Sequence, residues 1–195
     1  MSRHTADDET PASVALVQEF LNTQDLERFG AHSATPEEER DRIRSPKLLR
    51  AWLDDVGLAP GSVQVTAGDV ARAAELRAGL RAMVRAAQGL PFDGEALRRG
   101  ADVGSRLLLS VRLEPGRLRL RPASGGADGA LGGLLAEVMV AHASGDLKRL
   151  KVCSSADCQF VFYDHSKSRT QRWCSMETCG NREKTKRYRH RHRNR

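Results

Sequence analysis

The sequence predicts an α+β fold, mainly helical: an N-terminal helical domain carrying one β-hairpin, then a small C-terminal four-cysteine module that ends in a basic helix. Three observations predict it. Apolar residues recur at helical spacing through most of the first 143 residues, a β-rich stretch interrupts them around Pro115, and Cys153, Cys158, Cys174 and Cys179 are the chain's only cysteines.

Residues 1–12 hold no apolar run and read as a disordered start. Residues 13–23 (SVALVQEFLNT) place Val14, Val17, Phe20 and Leu21 on one face of a short helix. Thr35-Pro36 followed by Glu37, Glu38 and Glu39 has the order of an N-cap, a first-turn proline and acids at the positive end of the helix dipole. Ser45-Pro46 repeats that signal. A helix over residues 47–56, with Leu48, Leu49, Trp52, Leu53 and Val56, follows it and ends at Gly57.

Thr66 or Asp69 opens the longest pattern, which runs to about Gln88 through Val70, Ala73, Leu76, Leu80, Met83, Val84 and Ala87. Arg77, Arg81 and Arg85 read as a charged stripe beside that face. A shorter helix is expected from Asp93 to about Val103. Residues 106–113 and 117–121 are β-rich on either side of Glu114-Pro115-Gly116, a hairpin signature. The glycine-rich residues 122–130 read as a loop, and residues 131–143, with Leu131, Leu134, Leu135, Val138, Met139 and Ala141, as a buried helix. Gly145-Asp146 sets a boundary near residue 146, dividing the chain into 13–146 and 147–195.

Composition narrows the class. The chain has 195 residues and 39% apolar content, enough for one modest core plus a module. No stretch approaches the roughly 18 apolar residues of a membrane span and nothing near Met1 resembles a signal segment, so a cytoplasmic protein is expected. A reducing compartment disfavours disulfides and favours metal ligation by clustered thiols.

The cysteines form two pairs with the same C-x4-C spacing. Each pair on a tight turn supplies two corners of a tetrahedron, so the expected ligand set is Cys153, Cys158, Cys174 and Cys179 around one structural Zn2+. A redox dithiol is the competing reading. So small a module needs the metal, which contributes on the order of 10 kcal/mol in comparable cases. Four thiolates leave a formal charge of −2, which Lys151, Arg169, Arg172 and Arg182 are expected to offset, while Gly180 is expected to permit a tight backbone turn. His165 is read as solvated. A filled shell leaves no open position for catalysis, and residues 1–146 show no partner motif for a catalytic histidine, so no enzyme activity is expected.

The net charge of +7 is concentrated after the last cysteine, where eight cations from Arg182 to Arg195 face the single acid Glu183. Such a segment suits a polyanion. If helical, it carries Lys184, Arg187, Tyr188, Arg191 and Arg195 along one side and Lys186, Arg189 and Arg193 along the other. Asn181 and Arg182, at its fixed start, have the chemistry to read base edges, although Asn181 serves equally well as a cap. Trp173, beside Cys174, is read as packed on the metal core, and Trp52 as core.

At Cys179-Gly180-Asn181-Arg182 the last 45 or so residues resemble the CGNR zinc finger family: C-x4-C, the aromatic strand and aspartate from Phe160 to Asp164, Ser166, then R-W-C-S-M-x-x-C-G-N-R over 172–182. The segments FLNT (20–23) and LLRAWL (48–53) resemble the ABATE domain that commonly precedes that finger. The resemblance implies a stress-induced transcription regulator whose finger ligates zinc through the four cysteines and binds DNA. Gln159-Phe160 stands where many members have glycine-tryptophan, a departure expected to alter packing more than ligation.

The expected function is therefore a transcription regulator that binds double-stranded DNA through Asn181, Arg182, Lys184, Lys186, Arg187, Arg189, Arg191 and Arg193. Its N-terminal domain is expected to sense a small-molecule effector or mediate association. Asn22 and Thr23 are the candidate effector contacts, with helix capping as their competing role. The alternative is an RNA-binding or ribosome-associated module in which Tyr188 and Trp173 stack on bases. A homodimer is the general expectation for a regulator that reads two half-sites.

Overall fold

The computed structural model describes residues 10–29, 36–59 and 63–193, except for the side chains of residues 37, 38 and 193. Most of the expected disordered start, and the expected cap Thr35, lie outside the described residues. Helix α1 (Ala12–Leu21) buries Val14, Val17, Phe20 and Leu21. The acidic run after Pro36 makes only a single 3-10 turn, Glu37–Arg40, rather than a helix. Helix α2 (Pro46–Asp55) starts as its sequence dictates: Ser45 Oγ accepts from the Leu48 amide at 3.3 Å, and proline fills the first turn. Gly57 then leaves the helix at φ 72°.

Thr66 and Asp69 close a reciprocal capping box at the start of α3 (Ala67–Ala87), and Asp93 caps α4 (Gly94–Arg106) through the amides of Glu95 and Ala96. These two helices cross at Gly79 and Gly100. A Cβ built on either glycine would lie 2.6 Å from the other's Cα, so both positions exclude a side chain. Strands β1 (Leu109–Glu114) and β2 (Arg117–Pro122) form the expected hairpin, antiparallel with Leu113 opposite Leu118.

Helix α5 (Gly126–Ala143) corrects the glycine-rich loop expected over 122–130, because it begins five residues earlier than the apolar pattern suggests. Gly132 and Gly133, inside the stretch expected to be helical, serve packing. A Cβ on Gly132 would stand 3.3 Å from Pro122, and one on Gly133 3.1 Å from Leu58, so the bare backbone lets the helix settle on the base of the hairpin.

A second correction concerns the arginines of α3. Arg77 and Arg81 are only 3% and 7% exposed rather than lying on a solvated stripe. Arg77 grips Asp41 with both terminal nitrogens (2.8 and 2.6 Å) and donates to Thr23 Oγ1 at 2.8 Å. Arg81 donates to the carbonyls of Leu21 and Gln24 and, at 2.5 Å, to that of Gln159. Buried guanidinium groups need such acceptors, and these lie on three chain segments far apart in sequence.

One apolar core runs from α1 through α2, α3 and α5 and continues past residue 146. Leu150, Val152 and Val161 belong to it, on strands β3 (Leu150–Val152) and β4 (Val161–Tyr163), which pair antiparallel. The C-terminal module thus begins as a wall of the main core. Among the described residues, no helix is long and apolar enough to cross a membrane.

Candidate metal centre and the helix it anchors

The four cysteine sulfurs lie within 4.8 Å of one another. Cys158 and Cys174 are 3.7 Å apart, as are Cys174 and Cys179. A zinc–sulfur bond of about 2.3 Å in a regular tetrahedron separates sulfurs by about 3.8 Å, whereas a disulfide needs about 2.05 Å. All four thiols are free, so the sulfur set fits one tetrahedral ion and no bridge. This is a structural zinc site: four sulfur ligands complete the shell.

Protonation shows why the ion is needed. Hydrogen bonds from the Cys158 and Cys174 thiols, helped by backbone amides, bring Cys153 down to about 2. Cys174 is pushed up to about 12 by its hydrogen bond with Cys153. Cys158 is also raised, first by the same neighbour, and Cys179 is raised by burial and by the charge on Cys153. One thiolate is readily held here and four are not, unless a cation sits among them.

Backbone geometry positions the ligands. The amide of Cys153 donates to Phe160 at 2.8 Å and that of Cys158 to Ser155 at 3.0 Å, folding the first pair into a knuckle. Gln159 closes that knuckle at φ 56°, a left-handed conformation that glycine adopts without strain, so its departure from the family pattern falls at a position where glycine is favoured. Cys179 lies in a single π turn, Met176–Gly180, that runs without a break into α6 (Asn181–Arg193). Gly180 is not left-handed; what it supplies is space, because a Cβ there would lie 2.7 Å from Met176 Sδ and 3.6 Å from Trp173. Trp173 packs with Phe29 and Phe162 around the cysteines, as expected of a core residue.

The cations expected around the thiolates are placed differently. Lys151 is buried and donates to Asp164 Oδ2 at 2.6 Å and to the carbonyl of Arg169 at 2.5 Å. Asp164, fully buried, also accepts from Ser166 and from the Gln171 amide, so this pair shapes the excursion between the two cysteine pairs. Burial alone would raise the Asp164 carboxyl, but its donors, Lys151 foremost, hold it below the ordinary value. Arg172 lies over the Trp173 ring at 5.2 Å. The cation nearest the first knuckle in the core is Arg81, which reaches the Gln159 carbonyl beside Cys158 and which burial lowers to about 10. The signal for it was present in the sequence: Arg77 and Arg81 continue the helical series Ala73, Leu76, Leu80 and Val84. His165 bonds Thr10 at 3.3 Å and meets Tyr163 edge to face, apart from the sulfur cluster.

Helix α6 docks on the first knuckle by one side. Arg182 stacks on the Phe29 ring, 3.3 Å from its centroid, and lies 3.6 Å from Asp157. Lys186 pairs with the same carboxylate, and Glu183 accepts from the buried Ser155 hydroxyl at 3.0 Å. These contacts hold the Asp157 carboxyl low, with Lys186 the largest cause. Arg182 and Lys186, both sequence candidates for nucleic acid, therefore also clamp the helix. Lys184, Arg187, Tyr188 and Arg191 lie away from the knuckle and are exposed. Among the described residues, Lys184, Arg187, Arg189 and Arg191 form no ion pair with a carboxylate. Asn181 donates to the Glu177 carbonyl at 3.2 Å and is exposed; the side chain of Arg193 lies outside the described residues.

The N-terminal candidates are engaged internally. Thr23 is fully buried, donating to Phe20 and accepting from Arg77. Asn22 pairs with the backbone of Val161 and lines a cavity of about 340 Å³ with Gln24, Asp25, Glu27, Cys158 and Phe160. Gln88 makes the matching pair with Val152, a contact that no sequence motif announces.

The comparisons agree with this geometry. Residues 149–192 match the model of the CGNR zinc finger, and residues 14–147 match the ABATE family, described as "Putative stress-induced transcription regulator". A search of curated proteins finds no match. With the family model spanning well over half of its length and the zinc finger directly after it, the chain belongs to the ABATE family and carries a CGNR zinc finger behind that domain.

Proposed function

We propose that the chain binds duplex DNA through the free side of α6, with the zinc centre acting as the anchor that aims the helix. The observation that carries this reading is the division of α6 into two sides: Arg182, Glu183 and Lys186 hold it to the knuckle, and Lys184, Arg187 and Arg191 face outward without carboxylate partners among the described residues. A 13-residue helix spans about 20 Å, enough to follow a groove or a run of phosphates. Exposed Asn181 at its fixed end is the candidate base contact. The filled sulfur shell favours a binding role over a catalytic one.

The N-terminal domain, in this reading, is the regulatory half. Arg81, Asn22 and Gln88 bond directly to the zinc hairpin, so an effector in the cavity beside Asn22 and Phe160 would touch both halves at once.

Fluorescence anisotropy with duplexes drawn from a random pool tests the DNA reading. Lys184, Arg187 and Arg191 together contribute about −2.7 to the slope of log affinity against log salt, and the K184Q/R187Q/R191Q variant loses that contribution. An unchanged slope in that variant would overturn the α6 interface. Tighter binding to single-stranded RNA than to any duplex would instead favour stacking on Tyr188.

A further inference from the structure

The β1–β2 hairpin has an apolar face that the chain does not cover. Cross-strand partners point the same way, so Leu109 with Pro122, Val111 with Leu120, and Leu113 with Leu118 form one face. Its base rests on α5, where Gly132 admits Leu109 and Pro122. Its outer half is open: Val111 is 57%, Leu118 70% and Leu113 84% exposed. Three large apolar residues together on one exposed ribbon mark an interaction surface rather than a scatter of surface residues. The sheet has only these two strands, so among the described residues neither outer edge pairs with another strand.

Charge decides between the two edges. On the polar face β2 carries Arg117, Arg119 and Arg121, and any antiparallel self-pairing of β2 that keeps its faces in phase sets arginine opposite arginine. Like charges directly opposite destabilise a sheet. Strand β1 reads Leu109-Ser110-Val111-Arg112-Leu113, which is symmetric in character about Val111. Turned on a two-fold axis at that residue, it sets Val111 against Val111, Leu109 against Leu113 and Ser110 against Arg112. Every apolar residue meets an apolar one, and no arginine meets an arginine. A closed two-fold interface requires this kind of self-complementary surface.

We propose that the chain pairs with a second copy of itself through the free edge of β1, joining two hairpins into a four-stranded antiparallel sheet with its two-fold axis at Val111. The shared apolar face then runs across both copies. The inference stands independently of the DNA reading, since it concerns assembly in the absence of nucleic acid.

Light scattering behind size exclusion, on the full zinc-loaded chain, measures the mass. At tens of micromolar the wild type is expected at twice the 21.5 kDa chain mass, and V111K/L113K at the single-chain mass. Both positions are exposed, so the variant keeps its far-ultraviolet dichroism and zinc content. Register is read by cross-linking: Val111→Cys places two sulfur-bearing residues on the axis, with Cα atoms roughly 4.5–5.5 Å apart, within disulfide reach. Mild oxidation should convert that variant to covalent dimer at least ten times faster than Leu118→Cys, which is more exposed but lies on the other strand. A wild-type chain monomeric at every concentration would overturn the proposal, as would a V111K/L113K variant that stays dimeric, or equal cross-linking rates for the two cysteine variants.

Discussion

Asn22 meets Val161 as a neighbouring strand would: its Nδ2 donates to the Val161 carbonyl at 2.7 Å and its Oδ1 accepts from the Val161 amide at 2.9 Å. Gln88 does the same for Val152 on the other side, at 3.2 and 2.7 Å. Val152 and Val161 are themselves register partners, and each turns its own amide and carbonyl outward to one of these side chains, so the two strands are held on both flanks by the ends of α1 and α3. Two side-chain amides thus complete the edges of a two-stranded sheet that would otherwise bury unpaired backbone groups.

Replacing either amide should therefore cost more than an ordinary surface change. Asn22→Ala and Gln88→Ala are each expected to lower unfolding stability by about 1–3 kcal/mol, because the opposing backbone groups lose their partners. Urea melts at fixed zinc check this. A loss below about 0.5 kcal/mol for both variants would show that water replaces the amides without penalty.

Zinc removal should loosen more than the finger. Leu150, Val152 and Val161 belong to the main core, and Arg81 reaches the Gln159 carbonyl beside Cys158, so a collapsed knuckle withdraws one wall and one acceptor from the N-terminal domain. Chelation is expected to raise amide exchange in α1 and α3 as well as in residues 150–180. Protection in α1 that survives chelation unchanged would show that the two parts unfold separately.

Gln159→Gly should be neutral or stabilising, by up to about 1 kcal/mol, because it relieves a left-handed conformation that costs a side-chain-bearing residue about 1–2 kcal/mol, less the extra freedom glycine gains when unfolded. Thermal melts of zinc-loaded protein decide it, and a clear drop in midpoint would mean that the Gln159 side chain contributes more than its conformation costs.

Asp41 gives the fold an acid-sensitive joint. Burial would raise its carboxyl, but the Arg77 guanidinium, aided by the Ile43 amide, more than offsets this and holds it below its ordinary 3.8. A depressed folded value means that the stability it contributes is present above about 3.8 and is lost as pH falls through the folded value. Asp41→Asn is therefore expected to cost about 3 kcal/mol near neutrality, since it leaves Arg77 buried without its counter-charge, and to flatten the acid limb of the stability curve. Equal pH slopes in wild type and variant, compared at matched zinc occupancy, would contradict this.

The metal ligands and the basic helix were legible because they are written locally: equal cysteine spacing, a following run of cations and a family pattern all fall within 43 residues. Helix caps were legible for the same reason, with Ser45, Thr66 and Asp93 each acting where its sequence places it. What local pattern hides is long-range pairing. Arg77 and Arg81 look like a solvated stripe until Asp41, Leu21 and Gln159 arrive from elsewhere in the chain. Gly126 and Gly129 read as part of a loop because glycine lowers helix propensity, although α5 already begins at Gly126. Arg182 and Lys186 read as nucleic-acid contacts alone rather than as clamps because Asp157 and Phe29 precede them by more than 24 residues.

The unbroken passage from the Cys179 turn into α6 also sets the helix's rotational phase. Each α-helical residue turns the chain by about 100°, so one residue inserted between Cys179 and Lys184 would swing Lys184, Arg187 and Arg191 through more than a quarter turn without disturbing a single sulfur ligand. The azimuth of the cationic face is thus fixed by a few positions around Arg182. Beyond Lys186 the side chains can change freely without altering where the helix points.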